Sequence, residues 1–428
     1  GTGVCHCPNS NMRLASGSGA GPVVHAQGRT IENDRLRLEV TSDGTLNVLD
    51  KTSGRTFRRV LELEDTGDVG DEYTFAPPSS DRRVTSRETA PAVVTIEAAG
   101  ALRSALSIET SLEIPAGASD DRASRACRST RLGVRVELEI SQGSPVVSGR
   151  IRVDNRALDH RLRLLFPTGA PVVATSRADT AFGVVTRVAR REPPVTVPPE
   201  APVDTQPLQS IVDAGDETSG VTVMGEGLME YEVVPEGPGS ESAALALTVL
   251  RSVGWLSRED LSTRQGNAGP SLESPGAQCL GVSEFRFAFA PRSVPPSNAA
   301  LCAMGRAFLA APSVVVGTGS PRHAALWPLR HSFVSLAASA EGAVTSALKR
   351  ADGRDAVAVR LYSVADETLD IRLSSPTPWA SAELTDLRER PIEAAKLESG
   401  AACLSLGPRK IATLTLAPLP SSAGGGAR

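Results

Sequence analysis

Apolar and polar residues alternate along much of the chain from residue 31 onward. Leu36, Leu38 and Val40 are separated by charged residues, and a Ser-Asp-Gly turn follows at residues 42–44. A period of two places successive side chains on opposite faces of a strand. Glycine supplies the positive φ that a tight hairpin turn requires. The pattern therefore predicts an antiparallel hairpin whose second strand starts near Leu46.

The same alternation predicts strands through the following 250 residues. Between residues 132 and 140 the apolar side chains share one face, and Arg135, Glu137 and Glu139 share the other. No regular exchange of strand and helix patterns occurs, so a parallel βαβ fold is disfavoured. We predict an all-β fold that contains a large antiparallel β-sandwich. Its further strands are expected at 93–98, 106–114, 132–140, 147–153, 161–166, 220–224, 227–234, 244–251 and 285–289.

Loop-forming segments and one helical pattern divide the chain into regions. Residues 192–207 contain six prolines, and residues 257–276 are rich in Gly, Pro, Ser and Asn, so both segments are predicted to be loops. A short helix is expected at 298–311. We predict a disordered or chimeric segment at 1–29, the large sandwich at 30–290, a connecting segment at 291–341, a small C-terminal β-sandwich at 342–418 and a flexible tail at 419–428.

Composition narrows the class of protein. The 428 residues include 45 Lys and Arg against 49 Asp and Glu, so the net charge of −4 argues against a nucleic-acid partner. No apolar run approaches the roughly 20 residues of a membrane span, so we expect no membrane partner. Six irregularly spaced cysteines do not suggest a disulfide framework. With no secretory signal in the sequence, we predict free thiols and a cytoplasmic location. Cys279 and Cys302 are expected to be buried.

The first residues carry two weak signals. Cys5, His6 and Cys7 are good zinc ligands, but no fourth ligand follows at an ordinary spacing, so a coil is the favoured interpretation. Residues 6–17 resemble a segment of amidohydrolase-superfamily deaminases. Because the H-x-H metal motif of that family does not occur in the chain, we predict no deaminase activity.

Several short segments follow one another in a consistent order between residues 30 and 418. The most distinctive are DTGDVGDEY at 65–73, GLMEYEV at 227–233 and LRSVGWLS at 250–257. In this order they resemble the C-terminal half of glycoside hydrolase family 38, the α-mannosidases. The remaining segments that carry the resemblance are at 31–33, 43–46, 50–54, 77–78, 153–155, 159–163, 278–281 and 408–416.

The resemblance implies a galactose mutarotase-like super-sandwich followed by smaller β-sandwich domains. Family members are zinc-dependent retaining exo-mannosidases, and their zinc ligands and both catalytic carboxylates lie in an N-terminal (β/α) barrel. The resemblance starts after that barrel and after the helical bundle that follows it. We therefore expect this chain to bind no cofactor and to be inactive alone. Its expected partners are the barrel, the bundle and a mannoside at a shared pocket, with a homo-oligomer as a further candidate.

The resemblance also implies three substrate-binding residues and no catalytic or metal-binding ones. In the family the Tyr of the Gly-Asp-x-Tyr turn points toward the bound sugar, which makes Tyr73 and its neighbour Asp71 candidates. Arg264 lies in a loop where family members extend a basic residue toward the catalytic domain. From the residues alone, the acidic turn is equally typical of a solvated loop or an Asx turn. Arg264 is equally typical of a mobile surface loop.

Other ionisable groups favour structural roles. His160 precedes alternating leucines and is expected to be a satisfied histidine at a strand entrance on a sheet edge. Glu230 and Glu232 share one strand face, which predicts exposure to water. The alternative function is a free-standing carbohydrate-binding or scaffold protein. Only three Trp and three Tyr are available as stacking platforms, which argues against a dedicated lectin.

Overall fold

The computed structural model describes residues 24–190, 199–200, 202–236, 242–310, 312–313 and 332–419. Two compact units are present, and we treat each by itself. Within the described ranges, the larger unit comprises residues 24–178 and 185–295, and the smaller comprises 179–184 and the part that starts at 296. The N-terminal segment that carries Cys5, His6 and Cys7 lies outside the described residues, as do residues 192–198 and 201 of the proline-rich stretch.

The first twenty strands confirm the all-β prediction. They are β1 His25–Gln27, β2 Thr30–Glu32, β3 Leu36–Val40, β4 Leu46–Asp50, β5 Arg55–Val60, β6 Glu62–Gly67, β7 Val84–Thr85, β8 Val93–Ala99, β9 Arg103–Pro115, β10 Ser129–Ser141, β11 Val147–Asn155, β12 His160–Pro167, β13 Thr175–Thr180, β14 Gly183–Val188, β15 Gln206–Pro207, β16 Ile211–Gly215, β17 Gly220–Glu226, β18 Glu230–Pro235, β19 Ala243–Ser252 and β20 Gly281–Arg292. Short 3-10 turns occur at Ser86–Glu88 and Pro275–Gln278.

These strands form three antiparallel sheets. The first has five strands in the order β1-β2-β3-β4-β5. The second has nine, in the order β14-β13-β16-β17-β20-β11-β10-β9-β8, and the third has six, in the order β15-β18-β19-β12-β6-β7. Strands distant in sequence are thus neighbours in space, which is typical of a large sandwich rather than of a simple meander.

Aromatic side chains join the nine-stranded and six-stranded sheets. Phe166 on β12 packs against Phe287 and Phe289 on β20, with ring centroids 6.2 and 5.4 Å apart. A Cβ at Gly149 would lie only 2.3 Å from the Phe287 ring, so a glycine is needed there for the aromatic ring to fit. The inward face of β10 is buried as the alternation predicts. The core of the larger unit therefore includes side chains from both of these sheets, and residues of the five-stranded sheet, such as Leu38 and Val48, belong to the same buried cluster.

The predicted start of one strand falls in a turn. We expected a strand from residue 227, but β18 begins at Glu230. Gly227 has a φ of +73°, which belongs to a turn and not to extended backbone. The turn lets the chain reverse between β17 and β18 before pairing resumes.

The smaller unit begins with a helix and continues as two sheets. Helix α1 spans Asn298–Leu309, and the Ser297 side chain caps its N-terminus by accepting from the Ala300 N–H. The sheets have the orders β21-β24-β28-β27 and β22-β23-β29-β25-β26. Their strands are β21 Ser335–Ala338, β22 Ala343–Arg350, β23 Val357–Ser363, β24 Leu369–Ser374, β25 Trp379–Thr385, β26 Pro391–Ala394, β27 Lys396–Glu398, β28 Ala401–Leu406 and β29 Ile411–Pro418.

The core of the smaller unit comes from both of its sheets. Leu361 and Leu414 from one sheet and Ile371 from the other belong to the same buried cluster. Trp379 also belongs to it, and its indole N–H donates to the Leu373 carbonyl at 3.1 Å. Strand β21 lies upstream of residue 342, where the sequence analysis places the start of this sandwich, and it pairs with β24. Four residues are too few for a period of two to be recognised in the sequence.

The described cysteines are free thiols. Cys302 on α1 is buried, as predicted, and burial raises the pKa of its thiol to about 11. Cys279 is exposed, which contradicts our expectation. It ends the 3-10 turn Pro275–Gln278 with a φ of +49°, and the turn directs its side chain outward. No helix in the described part of the chain is long and apolar enough to span a membrane.

Candidate functional site

Residues 68–76 form a turn after β6 that we call the Tyr73 turn. The carboxylate of Asp71 organises its centre: Oδ1 accepts from the backbone N–H groups of Tyr73 at 3.0 Å and Thr74 at 2.8 Å. This is an Asx-type arrangement, in which a side chain replaces the backbone acceptor of a turn. Asp71 is fully buried. The acidic character that the sequence shows here therefore belongs in part to the interior of the turn.

Asp68 and Gly70 shape the start of the Tyr73 turn. Asp68 Oδ1 accepts from the Gly70 N–H at 3.0 Å and lies 3.4 Å from the Ala76 nitrogen. A Cβ at Gly70 would stand 2.1 Å from the Thr74 carbonyl oxygen, closer than any side chain can come. The close return of the chain at this point thus requires glycine.

Arg264 holds the Tyr73 turn from the facing loop. Its Nη2 donates to Asp71 Oδ2 at 2.6 Å, and its Nη1 donates to the Thr74 hydroxyl. The remaining donors bind the Arg258 carbonyl at 2.9 Å and the Gly266 carbonyl at 3.2 Å. Arg264 is only 7% exposed. The structure therefore brings two of the three predicted site residues, Asp71 and Arg264, into one buried ion pair.

Further arginines hold the turn, and the sequence analysis did not identify them. Arg251 donates through Nε to Asp68 at 2.7 Å and through Nη2 to the Asp71 carbonyl at 3.0 Å. The Arg161 guanidinium lies 3.7 Å from the centroid of the Phe75 ring, within the range of a cation–π contact. Both arginines lie in strands that are rich in apolar residues, where a charged side chain needs a partner. This feature of the sequence could have identified them.

Tyr73 itself is exposed. Its side chain is 57% accessible, and its ring lies against Gly269, where a Cβ would come within 3.2 Å of the ring. Within the described residues, the Tyr73 hydroxyl has no hydrogen-bond partner. A free phenol of this kind can both donate and accept a hydrogen bond, and its ring offers an apolar surface to the C–H groups of a ligand.

The aspartates around Tyr73 are engaged by arginines. Asp71 pairs with Arg264 and Asp68 with Arg251, while Asp260 accepts from Arg258 at 2.9 Å through each oxygen. Retaining glycoside hydrolysis needs two carboxyl groups about 5–5.5 Å apart on either side of the scissile bond. The three paired aspartates are not available for those roles. The arrangement is suited to binding and positioning.

The described residues do not fit the zinc that the family resemblance implies. They contain no group of three or more His, Cys, Asp or Glu side chains that could hold a metal ion. His160, which lies in the 159–163 segment that carries the resemblance, is already bonded on both ring nitrogens. We therefore derive no chemical step through a metal at this site.

The ion pair at Asp71 predicts an acid-sensitive Tyr73 turn. Burial opposes ionisation, but hydrogen bonds from Arg264, Thr74 and Arg258 hold the pKa of the Asp71 carboxyl below its ordinary value of 3.8. A lowered pKa stabilises the folded turn well above pH 3.8, and this contribution is lost as the pH falls below that value. Hydrogen exchange of the Thr74 amide should therefore accelerate, relative to the intrinsic rate, as the pH is lowered from 5 to 3. A constant protection factor would contradict this expectation.

His160 has a structural role, as predicted, but its position differs. Its Nδ1 lies 2.6 Å from Asp65 Oδ2, and its Nε2 lies 3.0 Å from Asn155 Oδ1. Asp65 also pairs with Arg125, and all four side chains are buried. The expected sheet-edge position is wrong, because β12 lies between β6 and β19 inside the six-stranded sheet.

Glu230 and Glu232 do not simply face water. Glu232 accepts from Arg163 Nη1 at 2.5 Å, and Glu230 accepts from the Thr248 hydroxyl at 2.6 Å. Both carboxylates lie within 4 Å of the buried Arg161 guanidinium. Arg163 lies on β12, which is distant from β18 in the sequence, and Thr248 lies on β19, the next strand along the chain. The pattern within one strand could not reveal them.

Comparison with known proteins supports the family resemblance. Residues 31–259 match the glycosyl hydrolases family 38 C-terminal domain, and residues 342–414 match the family 38 C-terminal beta sandwich domain. The chain is 29% identical over 340 residues to a putative mannosylglycerate hydrolase of Halalkalibacterium halodurans. This alignment covers 76% of the chain and 35% of that protein.

Solved structures give the same result. An alpha-mannosidase from Enterococcus faecalis V583 is 26% identical, with a TM-score of 0.71 over 92% of this chain and 42% of that one. A second family 38 protein from Enterococcus faecalis has a TM-score of 0.70 at 26% identity, covering 92% and 44%. The chain thus spans roughly a third to two fifths of the length of these relatives. It belongs to glycoside hydrolase family 38, and its matched segments are the C-terminal β-domains of an α-mannosidase-like protein.

Proposed function

We propose that this chain completes the sugar-binding pocket of an α-mannosidase-like hydrolase, with Tyr73 as the residue that touches the sugar. The observation that carries the proposal is an exposed, unpaired phenol on a turn whose Asp68, Asp71 and Thr74 side chains are buried and paired. A turn braced by buried ion pairs holds its exposed side chain in one place, so little ordering is needed on binding. Asp71 and Arg264 are positioning residues in this proposal.

The catalytic groups are proposed to lie in a separate part of the enzyme. The curated relative and the Enterococcus structures are more than twice as long as the segments that match this chain. We assign zinc binding and both carboxylates of retaining hydrolysis to an N-terminal barrel that packs with a helical bundle beside these β-domains. The substrate is proposed to be a terminal α-mannoside, and the putative mannosylglycerate hydrolase among the relatives makes mannosylglycerate one candidate.

The test is Tyr73→Phe in the polypeptide that joins this chain to its catalytic region. Loss of one hydrogen bond to the sugar should lower kcat/KM for 4-nitrophenyl α-mannoside about 3- to 10-fold. Tyr362→Phe removes the same atom from a tyrosine of the smaller unit and should leave kcat/KM unchanged. Equal kinetics for Tyr73→Phe and the parent enzyme would remove Tyr73 from the site.

An activity assay of the purified chain alone provides a second test. We expect no hydrolysis of the aryl mannoside by the purified chain, with or without added zinc. Turnover by the chain would show that it carries catalytic residues, and it would overturn the proposal that these residues lie in a separate part of the enzyme. Saturable binding of methyl α-mannoside without any need for a catalytic partner would favour the alternative of a free-standing carbohydrate-binding protein.

We also propose a cytoplasmic site of action, which the free thiols at the four described cysteines support. Chemical labelling of those thiols in intact and lysed cells would test it. Homo-oligomerisation is proposed only as a further property of the whole enzyme, and light scattering at several concentrations would measure it.

A further inference from the structure

A buried hydroxyl group holds the loop that faces the Tyr73 turn. This loop comprises residues 264–270, and we call it the Gly269 loop. The Ser257 side chain is fully buried, and its Oγ accepts from the Ala268 N–H at 3.0 Å and from the Gly269 N–H at 3.1 Å. Most residues of the loop are exposed, including Ala268 itself. A side chain from the interior therefore fixes backbone that lies at the surface.

The same hydroxyl connects the Gly269 loop to the ion pair of the Tyr73 turn. Arg264 Nη2, which donates to Asp71 Oδ2 at 2.6 Å, also lies 3.3 Å from Ser257 Oγ. The hydroxyl oxygen thus accepts from two backbone amides and stands beside a guanidinium donor. An alanine at this fully buried position would offer none of these groups an acceptor. Ser257 therefore links the position of the loop to that of the Asp71 carboxylate.

The Tyr73 phenol lies against the loop at Gly269. A Cβ at Gly269 would stand 3.1 Å from the Tyr73 hydroxyl oxygen and 3.2 Å from Cε2, below the 3.4–4 Å of an ordinary van der Waals contact. Gly269 is not among the glycines with positive φ, so its backbone conformation does not require glycine. The space that the absent side chain leaves is occupied by the phenol instead.

We propose that Ser257 and Gly269 are positioning residues that set the direction of the Tyr73 hydroxyl. This inference rests on the proposed function, in which that hydroxyl touches the sugar. The Tyr73 turn fixes the backbone of Tyr73, whereas its side chain, 57% exposed, still rotates about two bonds. Contact with a loop that is itself held from the interior restricts this rotation before the sugar binds, which lowers the cost of ordering. The Gly269 loop then determines which sugar hydroxyl the phenol reaches.

Gly269→Ala tests the contact between the loop and the phenol. The added methyl group should displace the exposed Tyr73 ring, so the thermal unfolding midpoint should change by less than about 2 °C. The chain contains three tyrosines, and 3-fluorotyrosine labelling gives each a ¹⁹F NMR signal, of which Tyr73→Phe identifies one. The Tyr73 signal should shift in Gly269→Ala, and those of Tyr231 and Tyr362 should not. Gly276→Ala places its methyl group where nothing lies within 4 Å and should shift none of the three.

Ser257→Ala tests how the loop itself is held. The amides of Ala268 and Gly269 lose their acceptor, so their hydrogen exchange should accelerate, and the Tyr73 fluorine signal should shift as well. Ser271→Ala is the matched control, because it removes an exposed hydroxyl just beyond the same loop. It should change neither the exchange of these two amides nor the Tyr73 signal.

Steady-state kinetics separate this inference from the proposed function. In the polypeptide that joins this chain to its catalytic region, Gly269→Ala and Ser257→Ala should each lower kcat/KM for 4-nitrophenyl α-mannoside about 3- to 10-fold. Both losses should be smaller in the Tyr73→Phe background, because the hydroxyl that they displace is absent there. Equal losses in both backgrounds, or an unchanged Tyr73 fluorine signal, would overturn the inference and leave the proposed function standing. Parental kinetics in Tyr73→Phe would refute the proposed function, and with it the role of the loop at the sugar.

Discussion

Replacing Asp65 with alanine is expected to lower the free energy of unfolding of the larger unit by about 3–5 kcal/mol. Asp65 is fully buried and faces two buried groups, the Arg125 guanidinium and the His160 ring. Without the carboxylate, the guanidinium keeps its charge in an environment that cannot solvate it. Native-state hydrogen exchange of the β6 and β12 amides measures the loss, because both strands contribute to the cluster.

A partly exposed aspartate on the same unit provides the control for this change. Asp154 pairs with Arg156, whose side chain is 67% exposed, and Asp154→Ala should cost less than about 1 kcal/mol. Asp65→Asn keeps the shape and one acceptor oxygen and should fall between the two. An Asp65→Ala loss no larger than the Asp154→Ala loss would mean that water reaches the cluster and that burial does not determine its strength.

Replacing Arg264 with alanine is expected to destabilise the folded Tyr73 turn by about 3 kcal/mol or more. The change leaves the fully buried Asp71 carboxylate without its guanidinium and removes a donor from Thr74. The amides of Tyr73 and Thr74, which both donate to Asp71, should lose protection in hydrogen exchange. Tyr73 would then sample several positions, and sugar binding would weaken without any change at Tyr73 itself.

Two matched variants distinguish the loss of the ion pair between Arg264 and Asp71 from a general loss of stability. Arg264→Lys keeps the charge but not the fork and should restore only part of the protection. Arg258→Ala removes a neighbouring arginine whose side chain binds the half-exposed Asp260, so amide protection in the turn should change little. Full protection of Thr74 in Arg264→Ala would show that Asp68, Asp71 and Arg251 hold the turn without Arg264.

The elements that sequence analysis located correctly have a strong local cause. The hairpin of β3 and β4 follows from a period of two and from Gly44, whose φ of +84° suits the turn. The helix α1 was placed to within two residues at its end, and Ser297 caps its start. In β10, the alternation over residues 132–140 identifies the buried face directly. Each of these signals lies within a few residues of the element that it predicts.

Two features that the sequence did not reveal have no local cause. Strand β21 is four residues long and is recognised only through its pairing with β24. The central position of β12 follows from its pairing with β6, about 100 residues earlier, and with β19, about 90 residues later. Because burial of His160 and Arg161 depends on these neighbours, their environment could not be inferred from the residues around them.

The sequence alone determined that the chain is β-rich, where most strands lie, and that Tyr73 stands in an acidic glycine-containing turn with family 38 features. These properties follow from side-chain periodicity, from turn chemistry and from short motifs, all of which act over a few residues. The tertiary structure alone decided that Asp71 and Arg264, 193 positions apart, form one buried pair, while Tyr73 remains exposed. Partners from distant strands set the burial of a charge and its pairing, and only the folded sheets bring those strands together.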